Sequence, residues 1–208
     1  MGPLAGLAAL DAASPLVPLG RLLALLGCGE EAACLSFDRL QMIVPNHARM
    51  LASIAEDERR HDAMLQGLLA ELQVEPPCQA AMTGMRRIHA RLGRTAVFGQ
   101  CAGIAALDSA VCTLLSALLR PGTGIPLYTG LHKALRRIRN DETRHVAITR
   151  GIALTSNTLP QLRDVAARTR SDLAHALAHV ANDFGQLGVD PVPLLARIAR
   201  LPDGLLTA

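Results

Sequence analysis

The chain reads as an all-α bundle of helical hairpins with additional flanking helices, on three observations. Half of its 208 residues are apolar, yet there is no Trp, one Tyr and three Phe, so the core has to be built from Leu and Ala. Leu, Ala and Arg are strong helix formers, whereas the aromatic and β-branched residues that favour strands are scarce. No strand-like alternation of useful length occurs. Finally, the pattern D-E-x-R-H appears twice, at Asp57-Glu58-Arg59-Arg60-His61 and Asp141-Glu142-Thr143-Arg144-His145, which suggests two copies of one hairpin unit.

In chain order, residues 1–20 read as an N-terminal arm. Helices are expected at about 22–43, 47–73, 79–119 with Gly93 as a candidate break, 127–155 and 159–186, and a short one near 191–200. Pro45-Asn46, Pro76-Pro77, Pro121-Gly122-Thr123-Gly124, Gly188 and Pro191 supply the punctuation, since Pro and Gly stop or start helices. The length suits one domain spanning 1–208, with 159–208 packing on the bundle.

The segment Val97 to Leu119 is apolar enough to suggest a bilayer span, but Asp108 sits at its centre. A helix covered nearly all round inside a bundle explains the same composition, so no membrane span is expected. The net charge of +3 is too mild for a nucleic-acid surface. The cluster Lys133, Arg136, Arg137 and Arg139 has no interleaved aromatics for base stacking, and reads as a solvated face or a docking site for an acidic partner. Cys28, Cys34, Cys78, Cys101 and Cys112 form no C-x-x-C pair, and residues 1–20 lack the basic start of a secretion signal. The expectation is a reducing, cytoplasmic setting.

The repeated motif carries the chemistry. Glu and His three residues apart share a helix face, so each copy aims a carboxylate and an imidazole at one point. Chance alone gives about 0.24 E-x-x-H matches in a chain of this composition, and the shared Asp and Arg make two coincidences less probable still. Two such helices facing each other make a two-metal cage.

Hairpin geometry points to the remaining ligands, because residues level across an antiparallel hairpin are equidistant from its turn at about 1.5 Å rise per residue. From Glu58 the turn at Val44-Pro45-Asn46 points back to Glu30, and from Glu142 a turn near Ile125 points back to Asp108. Periodicity chooses Glu30 over Glu31, since Leu26, Glu30, Ala33, Phe37, Leu40 and Val44 form one stripe. Val97, Cys101, Ile104, Asp108, Val111, Leu115 and Leu118 form the matching stripe, where a lone acid would be costly to bury.

The candidate metal ligands are therefore Glu30, Glu58, His61, Asp108, Glu142 and His145. Four carboxylates balance two divalent ions, and mixed oxygen and nitrogen donors suit iron or manganese better than metals that prefer thiolates. Two Fe ions are the default, with Mn an alternative at one position. Asp57 and Asp141 are candidates to hold the outer nitrogens of the imidazoles. Cys34 and Cys112 lie one turn beyond Glu30 and Asp108; with Ala33, Val111 and Phe37 they are candidates to line a substrate cavity, the alternative being plain core packing. His175 and His179 share a face without an acid, and His47, His89 and His132 carry no distinguishing signal.

With these residues the chain resembles the ferritin-like di-iron carboxylate superfamily over roughly residues 25–155, where successive helices give a carboxylate, E-x-x-H, a carboxylate and E-x-x-H. Glu30-x-x-Ala33-x-x-x-Phe37 is similar to its first-helix pattern, with Phe where many members have Tyr. D-E-x-R-H is the form typical of the oxygen-activating branch. The resemblance implies a ferritin-like four-helix bundle in which Glu58 and Glu142 bridge the metals and Glu30 and Asp108 are terminal. It also implies that Asp57 serves His145 and Asp141 serves His61, with Arg60 and Arg144 holding the acids.

The first hairpin looks most like the aldehyde-deformylating oxygenases, sharing the Glu30 to Glu58 spacing, Gly29, Pro45, and the tail Leu187-Gly188-Val189-Asp190 through Leu194-Leu195. Asp108 replaces their usual Glu, which implies a more open metal position, and the aromatic-poor lining leaves a long-chain aldehyde substrate unsupported.

The function expected is a non-haem di-iron oxygenase or oxidase that uses O2 as cosubstrate to oxidise a small organic molecule, free or carrier-protein-bound, with an external electron donor. The alternative is a ferroxidase that oxidises Fe(II) for storage or detoxification. Against it stand the long tail after residue 156, the apolar stripes and the lack of an acidic approach path. A tyrosyl-radical subunit is disfavoured because the single Tyr, Tyr128, falls in a turn region. The remaining alternative is a metal-free helical interaction module.

Overall fold

A computed structural model describes residues 16–72, 75–123, 125 and 129–207. Among the described residues there is no strand. The described residues form eight α-helices: α1 (Leu16–Ile43), α2 (Ala48–Leu72), α3 (Gln79–Leu92), α4 (Val97–Leu118), α5 (Thr129–Ala153), α6 (Leu159–Ala178), α7 (Ala181–Gln186) and α8 (Pro191–Ala199). The chain is all-α. Tyr128 and most of the expected N-terminal arm lie outside the described residues.

The first, second, fourth and fifth helices pair into two hairpins. A 3-10 turn at Pro45–His47 joins α1 to α2, and α4 pairs with α5. The hairpins meet where α2 packs on α5, while α3 lies against α1 and α4 on the other side of the bundle. α6 covers α4 and α3, and α8 covers α6 and α4.

Three boundaries depart from the sequence reading, each for a physical reason. α1 begins by Leu16 and not near residue 22, because Leu16, Leu19, Leu22 and Leu23 are buried and Pro18 sits in the first turn, where a backbone N–H is not needed. The expected helix over 79–119 is two helices: Gly93 closes α3, with its N–H donating to His89 O at 2.9 Å, and α4 restarts at Val97. The expected helix over 159–186 breaks at His179 and Val180, with no Pro or Gly to announce it. There a tertiary contact overrides propensity: the turn swings α7 onto α1, where Arg21 donates from Nη2 to the buried Asp183 Oδ1 at 2.5 Å.

The tail follows its local chemistry. Gly188 adopts φ +75°, which an L side chain would resist, and a Cβ there would also meet Gly122 O at 3.2 Å. Asp190 then caps α8 by accepting from the Val192 N–H at 3.0 Å, ahead of Pro191 at the first helical position.

α4 is long and apolar enough to cross a membrane by length and composition, and 72% of its most apolar window is buried within the fold. Its cover contains one uncommon group. Arg170 of α6 is 1% exposed and donates to Ala106 O at 3.2 Å, Ser109 Oγ at 2.6 Å and Arg197 O at 2.9 Å. Burial pushes its guanidinium down to about 10. One side chain thus ties α4, α6 and the end of α8 through neutral acceptors.

Candidate metal centre

Four helices deliver the six candidate ligands to one level. Glu30 comes from α1, Glu58 and His61 from α2, Asp108 from α4, and Glu142 and His145 from α5. All six are buried, the most accessible being Asp108 at 7%, whereas Glu31 is exposed, as the stripe argument requires.

Glu58 and Glu142 each span both imidazoles. Glu58 places Oε2 3.5 Å from His61 Nδ1 and Oε1 3.1 Å from His145 Nδ1. Glu142 places Oε1 3.4 Å from His61 Nδ1 and Oε2 3.6 Å from His145 Nδ1. Glu30 Oε2 lies 3.3 Å from His61 Nδ1. Ligand atoms of Glu30, Glu58, His61 and Glu142 lie within 4.8 Å of one another, as do those of Asp108, Glu142 and His145. The two groups share Glu142.

The outer nitrogens are held crosswise. His61 Nε2 donates to Asp141 Oδ2 at 3.2 Å, and His145 Nε2 donates to Asp57 Oδ2 at 3.3 Å, so each Asp serves the imidazole of the other motif copy. With Nε2 committed, both rings turn Nδ1 into the cage. The arginines are less symmetrical than the motif. Arg60 and Arg144 both pair with Asp57, whereas Asp141 has Arg137, Nε to Oδ2 at 3.8 Å. Arg144 therefore does not hold the acid beside it in sequence; it reaches across to the other hairpin.

The electrostatics call for cations. Burial, then the neighbouring Glu58, raises Glu30 well above the usual carboxylate range. Burial, then Glu142 and Glu58, does the same to Asp108. Burial opposes ionisation of Glu58 too, but its close contacts with Glu30, His145 and His61 outweigh it and hold Glu58 low. Burial likewise works against charging His61 and His145, yet the surrounding carboxylates win and push them up to about 12 and about 10. Without a metal, the cage therefore gathers protons to offset its acids.

Two buried atoms point the same way. Asp108 Oδ2 has no hydrogen-bond partner, and His145 Nδ1 has none of acceptable geometry despite its 3.1 Å approach to Glu58. A cation at each of two positions would engage both atoms and replace the gathered protons, so the residues present fit a pair of divalent ions.

A cavity opens beside this cluster between α1, α3 and α4. Ala33 and Val111 line it, but Cys34, Phe37 and Cys112 do not. For the two cysteines helical phase gives the reason: a step of three turns a side chain about 60° one way and a step of four about 40° the other. Cys112 thus faces α5, with Sγ 3.6 Å from both Arg139 O and Thr143 Oγ1, and Phe37 packs in the core against His145 at 6.4 Å between ring centroids. The wall that the sequence reading missed comes from α3, as Met85 and His89. The available signal was the four-residue step from the buried Met85, which sets His89 beside the face that α3 packs inward.

No protein-family model matches the chain, and no curated protein matches it significantly.

Proposed function

We propose that this protein is a ferritin-like di-iron oxygenase or oxidase that uses O2 to oxidise a small organic molecule. One observation carries the reading: Glu58 and Glu142 each direct one carboxylate oxygen toward each imidazole, the arrangement that two shared metals need.

In this reading Glu30 and His61 would hold one metal ion and Asp108 and His145 the other, with Glu58 and Glu142 available to both. The bound iron pair supplies the redox chemistry with O2. Asp57 and Asp141 keep Nε2 protonated, so that Nδ1 stays free to ligate and each ring keeps its orientation. Arg60 and Arg144 hold Asp57 as a carboxylate aligned with His145. Leu107 and Val111 give apolar walls to the cavity beside Asp108, the side from which a substrate would approach. An external electron donor, a cytoplasmic location and a free or carrier-bound substrate belong to the same proposal.

The test is anaerobic Fe(II) loading of the full chain, metal analysis, then O2 exposure with optical monitoring, with and without added aldehydes, amines and carrier-bound acids. About two iron ions per chain and O2 uptake coupled to an oxidised organic product are expected. Iron oxidation that proceeds only to a ferric mineral, in a particle of about two dozen subunits, would replace this reading with iron storage. Near-zero metal after loading would remove the metal centre altogether.

A further inference from the structure

We propose that the cavity between α1, α3 and α4 is the substrate site and that His89 anchors the substrate there. The ligand class is a compact, uncharged molecule with an apolar body and one hydrogen-bonding head. The inference rests on the di-iron reading for the chemistry at the cavity floor, and on α3 alone for the anchor.

The cavity is small, with about 40 Å³ of space for water-sized molecules, and it opens to solvent at its mouth. Leu26, Ala33, Met85, Leu107 and Val111 give it apolar walls, and Glu30 and Asp108 stand at its floor. His89 enters from α3. Its Nε2 is buried without a hydrogen-bond partner, and lies so near α1 that a Cβ on Gly29 would sit 3.6 Å from it. A buried imidazole nitrogen left unpaired has lost its hydration with nothing in return, and a ligand's polar group is the partner its position offers.

The head has to be neutral because the charged groups that line the cavity are the carboxylates Glu30, Glu58, Asp108 and Glu142, which the metal reading takes as ligands, and burial outweighs the Glu58 charge at His89. Burial pushes its imidazole down to about 4, so it offers a hydrogen bond and no charge. The floor carboxylates are committed to the metals. His89 is not a further metal ligand either, since neither group of closely spaced ligand atoms includes it. A pocket with apolar walls and a few convergent polar groups is the usual build of a small-molecule site, and here the polar groups besides His89 are candidate ligands of both metal positions.

The experiment uses the full chain loaded with zinc as a diamagnetic metal, with pentanamide as polar probe and xenon as apolar control. Binding is read from the 15N resonance of His89 Nε2 and from dissociation constants for wild type, His89→Leu and His89→Gln. The proposal expects pentanamide to shift the Nε2 resonance and to bind about five- to tenfold more weakly to His89→Leu, with His89→Gln within about twofold of wild type. Xenon affinity should not change. An unmoved Nε2 resonance, equal pentanamide affinity in His89→Leu, or an equal loss of xenon binding overturns it. Zinc counted on the same samples separates the two readings. Bound zinc with an unresponsive His89 overturns the anchor alone, and a responsive His89 without bound zinc supports the anchor independently of the metal centre, which the Fe(II) loading decides.

Discussion

Asp108 shows most directly what the cluster costs when metal-free. It is buried, its Oδ2 has no partner, and burial raises its pKa well above the usual carboxylate range. Asp108→Asn should therefore leave metal-free stability intact or raise it by up to about 1 kcal/mol, while cutting bound iron by about half. Urea unfolding and metal analysis of one preparation check both halves.

The titration of the cluster has a defined sign. A group whose folded pKa is raised stabilises the fold fully below its unfolded pKa, and loses that contribution as pH rises through the folded value. His61, His145, Glu30 and Asp108 are all raised, so metal-free stability should fall from about pH 4.5 upward through the acids and from about pH 6.5 upward through the imidazoles. Glu58 is lowered; its contribution is present above about pH 4.5 and is lost on further acidification. Urea unfolding at about pH 6, 7.5 and 9 should show a decline of about 1 kcal/mol or more per pH unit without metal, and a much flatter profile with it. At this scale the sequence was most informative where spacing is local: E-x-x-H, and Glu30 over Glu31, follow from helical phase. The pairing of Arg144 with Asp57 was not legible, because a flexible side chain reaching between hairpins leaves no periodic trace. His89 was not legible because its role depends on where α3 packs.

Between elements, close helix approach is the decisive constraint. A Cβ on Gly84 of α3 would come 2.8 Å from Ala176 Cβ and 3.4 Å from Ala176 Cα of α6, neither of which can rotate away. Gly84→Ala should destabilise by about 1–3 kcal/mol through overpacking, and Ala176→Gly should recover part of that loss in the double variant. Thermal unfolding of the four-member cycle measures the coupling. Helix existence was legible from composition and punctuation, and so was the candidate break at Gly93. The break at His179 and Val180 was not, because the Arg21 to Asp183 contact spans nearly the whole chain. Cavity lining failed for a smaller reason: stepping three or four residues from a ligand reaches different neighbours, and only the three-residue partners, Ala33 and Val111, face α3.

Across the whole molecule, α4 is the most deeply covered helix, and its covers α5 and α6 both follow it in the chain. All-α architecture and the interior position of this segment were readable from its composition and central acid. The order in which its covers arrive adds a further consequence. As the chain leaves the ribosome, α4 emerges before either helix that shields it, so the part of its apolar surface that α5 does not cover is exposed until α6 has been synthesised. A fragment ending at Ala153 should consequently be recovered in the insoluble fraction to a greater extent than the full chain, as fractionation of parallel expressions will show. Residues 159–178, which contribute no candidate ligand, then serve the emerging polypeptide as its protection against self-association.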